Sequence, residues 1–249
     1  MRGKVAVDLH VHSALSACAG EEMRPPEVLL TAEQRQVRIL GLVDHCTARN
    51  AWAFVGAAQA FDVRVFAGLE VESAEGVHLL ALFDSLEAAT DMDRVIAEHL
   101  PGLPNNERLF GKQQLLDELG NVIGLDRRLL VTATDLRIDE IAEMVCGREG
   151  LAVPAHVDRQ TNGLLPVLGF VPPGLQVQAF EVSRHLSADE ARLRWPDLRG
   201  RPLLTASDAH CLDEIGQVVT WISEDLARAE VSAREWGLLL ADEVLAAGS

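Results

Sequence analysis

Two short motifs at opposite ends of the chain constrain its fold more than any other feature. The first is Asp8-Leu9-His10-Val11-His12-Ser13, at the end of an apolar run that begins near Val5. Along an extended strand, residues two apart project to the same side. His10 and His12 therefore aim their imidazoles at one spot, and Asp8 aims there one step deeper. Two neutral imidazoles converging at a strand end can begin a transition-metal site. The second motif is Ser207-Asp208-Ala209-His210, again two ligand types two apart, after the apolar run that opens at Pro202. A site drawn from both ends of a 249-residue chain implies a closed or wrapped architecture.

Between the motifs the sequence alternates. Apolar runs predict seven strands, at residues 5–9, 39–43, 63–69, 78–83, 151–155, 177–181 and 203–206. Pro25 and Pro26 open a helix over 27–37, and further helices are predicted at 50–60, 87–99 and 138–148. Capping-box spacing at Ser187/Glu190 and Ser232/Glu235 opens two more, the last running through 244. The rhythm breaks at 101–135, a Pro-, Gly- and Asn-containing connection with short apolar pieces. A connection of that length is usually functional, so it is expected to be an inserted pocket segment or lid. The simplest reading is one α/β domain over 1–249.

Composition narrows the partners. Hydrophobic residues make up 48% of the chain, enough for a large core. A net charge of −16 argues against gripping duplex nucleic acid through a general basic surface. It leaves room for a small phosphorylated substrate, because bound metal ions invert the local field. No secretory leader or membrane-spanning run is evident, so no membrane partner is expected. Cys18, Cys46, Cys146 and Cys211 form no close pair, which points to a reducing cytoplasm.

The predicted strand edges carry the chemistry. His10/His12, Asp44/His45, Glu70, His156, Glu181 and Asp208/His210 stand at strand ends, and His78 opens the fourth strand. In α/β barrels, catalytic groups collect at the C-terminal ends of the strands. Of the eight histidines, only His99 and His185 fall away from these edges, and they are expected to lie outside the site.

Asp8-Leu9-His10-Val11-His12-Ser13, Val43-Asp44-His45, Gly68-Leu69-Glu70, Pro154-Ala155-His156 and Ser207-Asp208-Ala209-His210 resemble, in order, the motifs of the PHP (polymerase and histidinol phosphatase) superfamily. Ala14-Leu15-Ser16-Ala17-Cys18 and Leu168-Gly169-Phe170-Val171-Pro172 look most like its stand-alone bacterial branch. The resemblance implies a distorted (β/α)7 barrel with two or three divalent metals (Mn, Zn or Fe) at the C-terminal rim, and hydrolysis of phosphoesters. Carried over by position, His10, His12 and Asp208 would hold one metal. Glu70 would bridge it to a second, completed by His78 and His156. His45 and His210 would hold a third. Many members have an aspartate or histidine after the position of Ser16, where this chain has Ala17-Cys18. Cys18 as a thiolate would favour zinc; otherwise it packs in the loop, and Glu22 or a water completes that site.

The expected chemistry is attack on phosphorus by a hydroxide shared between two metals. Arg159, three after His156, and Arg184, three after Glu181, are candidates to clamp the phosphate bidentately. Asp44 and Asp8 are candidates to orient ligand histidines. Cys46 and Cys211 follow ligand histidines directly and are read as wall residues. Two alternatives stand beside the phosphoesterase. One is an amidohydrolase-type C–N or C–O hydrolase, and the other a metal- or nucleotide-binding regulatory protein without turnover.

Overall fold

A computed structural model describes residues 3–247. In chain order its elements are β1 (Lys4–Val11), α1 (Pro25–Gln34), β2 (Val37–His45), α2 (Ala51–Ala57), β3 (Arg64–Glu72), β4 (His78–Phe83), α3 (Leu86–His99), α4 (Glu107–Phe110), β5 (Gln114–Leu116), β6 (Val122–Leu125), α5 (Ile138–Cys146), β7 (Leu151–Pro154), α6 (Leu164–Leu168), β8 (Phe180–Val182), α7 (Ala188–Arg194), β9 (Leu203–Thr205), β10 (Thr220–Ser223), α8 (Glu224–Ala227) and α9 (Ala233–Ala247). The seven predicted strands appear as β1 to β4 and β7 to β9. Three more were not predicted: the hairpin strands β5 and β6, and the edge strand β10.

The main sheet has the order β10-β1-β2-β3-β4-β7. β1, β2 and β3 run parallel, while β10 on β1, β4 on β3 and β7 on β4 are antiparallel. β8 and β9 form a separate parallel pair. Backbone bonds stitch the segments that follow this pair to the main sheet, Val157 N–H to Glu181 O (2.8 Å) beside the edge strand β7 and His12 N–H to Ala209 O (3.0 Å) beside β1, the strand next to the other edge. The result is a mixed α/β fold whose sheet curls into a half-barrel. This corrects the regular alternation that a (β/α)7 barrel implies. β3 and β4 are joined only by a tight turn, closed by Ser73 N–H to Val77 O (2.8 Å). A parallel crossover needs about a dozen residues or more, so β4 must run backwards. Its first residue, His78, therefore sits on the rim where β1, β2 and β3 end.

Both faces of the sheet are buried, which explains the near-continuous apolar runs. Val7, Leu9, Ile39, Val43, Phe66, Leu80, Leu82 and Val153 pack together on one face, with Trp236 of α9. Leu40, Leu42, Ala67, Leu69, Leu79 and Ala81 face Val28, Phe54, Met92, Ile96 and Ile141 of the helices. Segment 101–135 is built structure rather than an open connection. Gln114 N–H donates to Ala14 O (2.9 Å), and Asn50 bonds both Gln114 O (3.0 Å) and Leu116 N–H (3.0 Å). Among the described residues, no helix is long and apolar enough to cross a membrane.

Glycines permit the tight approach of strands inside the curl. A Cβ on Gly41 would lie 2.3 Å from Leu9 O, and one on Gly68 would lie 2.4 Å from Ala81 O. Both obstacles are backbone atoms, so the added carbon cannot be relieved by a rotamer change. Gly41→Ala should cost about 1–3 kcal/mol, read as a lower urea midpoint at unchanged slope. A variant as stable as wild type would show that the sheet can open at this point without loss.

Candidate metal centre

Strand ends deliver the site. β1 brings His10 and His12, β2 ends on His45, β3 carries Glu70, and β4 starts with His78. Register places His45 beside Glu70, and Glu72 beside His78. His156 follows β7, and Asp208 and His210 follow β9. Three residues here hold left-handed backbone without being glycine: Cys46 (φ 50°), His156 (φ 29°) and Asp208 (φ 51°). Such conformations cost on the order of 1–3 kcal/mol each and persist only where surrounding structure fixes them. Each one turns the chain sharply off a strand end and re-aims it over the rim.

Glu70 is the centre of the arrangement and is only 2% exposed. Its Oε1 lies 2.7 Å from His78 Nδ1, 3.1 Å from His156 Nε2 and 3.4 Å from His10 Nε2. Its Oε2 lies 3.0 Å from His45 Nδ1 and 3.6 Å from His12 Nε2. Asp208 Oδ1 is 3.3 Å from His10 Nε2 and 3.5 Å from His12 Nε2. Three sets bring one ligand atom per residue within 4.8 Å of each other: His10/His12/Asp208, His45/Glu70/His78 and His12/His45/His210. Cys18 stands at the mouth, its Sγ 3.3 Å from His45 Nε2.

The donor atoms fit metal ions. His10 Nε2, His12 Nε2 and His156 Nδ1 are buried with no hydrogen-bond partner. Leaving a buried polar atom unpaired costs about 1–3 kcal/mol, so the two Nε2 atoms that face the centre ask for a cation; His156 turns its Nε2 to Glu70 instead (3.1 Å). The opposite nitrogens of the first two rings are held. His10 Nδ1 meets Glu181 at 3.0 Å, and His12 Nδ1 meets Ser16 Oγ at 2.9 Å. Ser16 Oγ in turn donates to Asp44 Oδ1 at 2.7 Å, so Asp44 orients a histidine through a serine.

The electrostatics agree. Burial works to raise the Glu70 and Asp208 carboxyls, yet His78 and His10 around the first and His10 and His12 around the second hold both well below the usual range. Burial drives His12 well below its ordinary value, and His210 beside it adds to the effect. Burial opposes ionisation of Cys18, but hydrogen bonds from His210 and His45 bring its thiol down to about 6. The site thus gathers two carboxylates and an acidic thiol in one largely buried volume, a charge balance that cations complete.

Several residues stand elsewhere than the sequence suggested. Asp8 orients no histidine. Its carboxylate accepts from Ser207 N–H (3.0 Å) and Gly216 N–H (2.9 Å), fastening the C-terminal motif to β1, and burial pushes it up to about 6. His99, as expected, lies away from the centre, paired with Asp135 at 2.6 Å. His185, expected outside, lines a cleft of about 430 Å³ beside the cluster, with His156, Arg159, Arg184, Asp208 and His210. Asp158 causes this by holding Ser183 through its N–H (2.7 Å) and Oγ (2.6 Å), which turns the chain after β8 back over the cleft. Arg159 Nη1 reaches Asp208 Oδ2 (2.9 Å), and Arg184 Nη1 reaches Glu214 Oε1 (2.8 Å). Sequence reasoning gave no role to Ser16, Glu214 or, beyond its place on the rim, Glu181. Glu181 ends a predicted strand as the ligands do, a signal that could have found it.

Asp8→Asn would set an amide N–H₂ against a backbone N–H. It should destabilise the protein by about 1–3 kcal/mol and lower metal retention, measured by urea unfolding and metal content after dialysis. Unchanged values in both measurements would show that the C-terminal motif is held by other bonds.

Comparison with known proteins follows this geometry. The PHP domain family profile matches residues 8–126, and the PHP-associated profile matches residues 190–235. No curated protein matches the sequence. The lesion-specific endonuclease PfuEndoQ from Pyrococcus furiosus superposes with TM-score 0.61 at 19% identity, covering 85% of this chain and 50% of that one. The chain thus spans half the length of that endonuclease. A protein assigned as a metal-dependent phosphoesterase from Bifidobacterium adolescentis gives TM-score 0.58 at 15% identity, covering 90% and 95% of the two chains. An amidohydrolase from Chromobacterium violaceum, with bound sulfate and no metal, gives 0.53 at 21% identity, covering 87% and 91%. At such identities the structural likeness speaks for the fold. Taken with both family profiles and the ordered motifs, it shows that the chain belongs to the PHP family.

Proposed function

We propose that the protein is a metal-dependent phosphoesterase acting on a small phosphorylated substrate: a nucleotide, a short oligonucleotide or a phosphorylated metabolite. The supporting observation is the cleft of about 430 Å³ that joins Arg159 and Arg184 to His156, Asp208 and His210. Arg159 already touches Asp208, a candidate ligand. Divalent ions on the cluster, with two guanidinium groups beside them, leave an excess of positive charge. A phosphoryl group neutralises that charge and suits the planar fork of arginine; an amide or lactone does neither. This favours phosphoesters over the amidohydrolase reading. The cleft volume is in the range for a small ligand.

In this reading His10, His12 and Asp208 would hold one ion, Glu70, His78 and His156 would contribute to a second, and Cys18, His45 and His210 would hold a third. Bound there, manganese, zinc or iron would supply Lewis-acid charge neutralisation and an activated water. Arg159 and Arg184 grip the non-bridging oxygens. Glu181 and the Asp44–Ser16 pair keep His10 and His12 turned with Nε2 inward. Segment 101–135 walls the mouth, since a Cβ on Gly111 would lie 2.6 Å from Ala17 O. An acidic thiol at an open mouth suits a reducing compartment such as the cytoplasm.

Phosphate release from nucleoside monophosphates and p-nitrophenyl phosphate should vanish with a chelator and return with manganese, zinc or iron. Activity and metal content should fall together as pH drops below about 6, where imidazoles protonate and release their ions. Glu70→Ala and Asp208→Ala should each lower kcat/KM by more than about 100-fold. Arg159→Ala or Arg184→Ala should cost about 1.5–3 kcal/mol in kcat/KM. A lesion-containing duplex and an amide substrate, assayed in parallel, test the readings that the fold neighbours raise. Turnover of either in place of phosphomonoesters would overturn the proposal. Cys18→Ser should lower metal stoichiometry while leaving Asp208 ligation intact; equal stoichiometry and activity would remove Cys18 from the ligand set.

A further inference from the structure

The two arginines of the cleft are held differently. Arg159 Nη1 meets Asp208 Oδ2 (2.9 Å), and the other oxygen of that carboxylate faces His10 and His12. Arg184 Nη1 instead meets Glu214 Oε1 (2.8 Å), a carboxylate outside the candidate ligand sets, and lies 3.4 Å from Ser207 O. Glu214 Oε2 accepts from the His210 N–H (2.9 Å), so both of its oxygens are committed. The backbone that carries Glu214 is fixed on either side. Arg35 Nη1 donates to Asp213 O (2.6 Å) and to Ile215 O (2.5 Å), and Asp8 holds the Gly216 N–H (2.9 Å). A braced segment therefore presents Glu214 to Arg184, whereas an ordinary surface ion pair is loose and contributes little. Among the described residues, the Arg184 guanidinium makes no other hydrogen bond. Its Nη1 hydrogens are used, and Nε and Nη2 are left. That edge of a guanidinium matches two oxygens of a phosphate. Both residues line the cleft beside the candidate metal centre.

We propose that Glu214 is a positioning residue for phosphate recognition, fixing Nη1 of Arg184 so that the Nε–Nη2 edge is available to the phosphate. The inference rests on the phosphoesterase reading, and it assigns the pose of one clamp arginine to a residue outside the ligand sets. The sign of the effect separates this role from the simpler one. A carboxylate beside an anion site repels the anion, so if Glu214 did nothing else its removal would tighten phosphate binding. If it positions Arg184, its removal weakens binding, because an unfixed guanidinium must be immobilised when the phosphate arrives.

Inorganic phosphate serves as the probe, titrated calorimetrically into manganese-loaded protein whose metal content has been counted. Glu214→Gln should raise the Kd about three- to tenfold at unchanged metal content, since an amide cannot offer one oxygen to Arg184 and another to the His210 N–H. Glu214→Ala should raise it likewise. In the Arg184→Ala protein, the same two substitutions should leave the Kd unchanged or lower it, because only the repulsion is then removed. A Kd that Glu214→Gln leaves unchanged or lowers while Arg184 is present would overturn the proposal. So would equal weakening with and without Arg184, or loss of metal from both Glu214 variants, which would make Glu214 a strut of the ligand loop alone. Wild-type protein that binds no phosphate would sink the phosphoesterase reading and this inference with it. Wild-type binding that the Glu214 variants do not alter would sink this inference and spare that reading.

Discussion

The buried Glu70 carboxylate is the interaction on which the rest of the structure depends. Its two oxygens meet nitrogens of five histidines, from two parallel strands, one antiparallel strand and the loop after β7. A carboxylate taken out of water at that depth is tolerated only with opposite charge around it. Strand register supplies most of that charge, and the turn after β7 adds His156. A one-residue slip between β2 and β3 would turn His45 or Glu70 to the helix-covered face. Fold and site are therefore under the same constraint: the curl that buries Phe66 and Leu82 on one face also brings the strand ends within ligand distance.

Much of this was legible in the sequence because strands have a period of two. That period placed His10 and His12 together, and the apolar runs before Glu70, His156 and Asp208 located their strands. The antiparallel turn at β4 did no harm, since His78 was read as opening its strand. What escaped was local or too short to carry a period. β10 has four residues, and β5 and β6 form a hairpin whose exposed Val122 and Ile123 break the expected alternation. Asp8 shares the periodicity of the histidines but spends its oxygens on backbone amides that only the folded chain brings near. His185 was set aside for lying beyond a strand end, and the hydrogen bonds from Ser183 to Asp158 bring it back.

A net charge summed over the chain says little about the charge at any one cleft. The −16 is a sum over the whole chain, whereas the cleft beside the candidate metal centre brings Arg159 and Arg184 together, each paired with a carboxylate, Asp208 and Glu214.

The Asp8 latch has a consequence for how the protein is made. Asp8 bonds to Ser207 and Gly216, and Val11 bridges to Ala209, so the first strand finds these partners only after residues 207–216 have been made. Until that segment leaves the ribosome, His10 and His12 lack Asp208, and the nascent chain presents an open fan of imidazoles. Completion of this ligand set is thus a late event of biogenesis, coupled to some of the longest-range contacts in the fold.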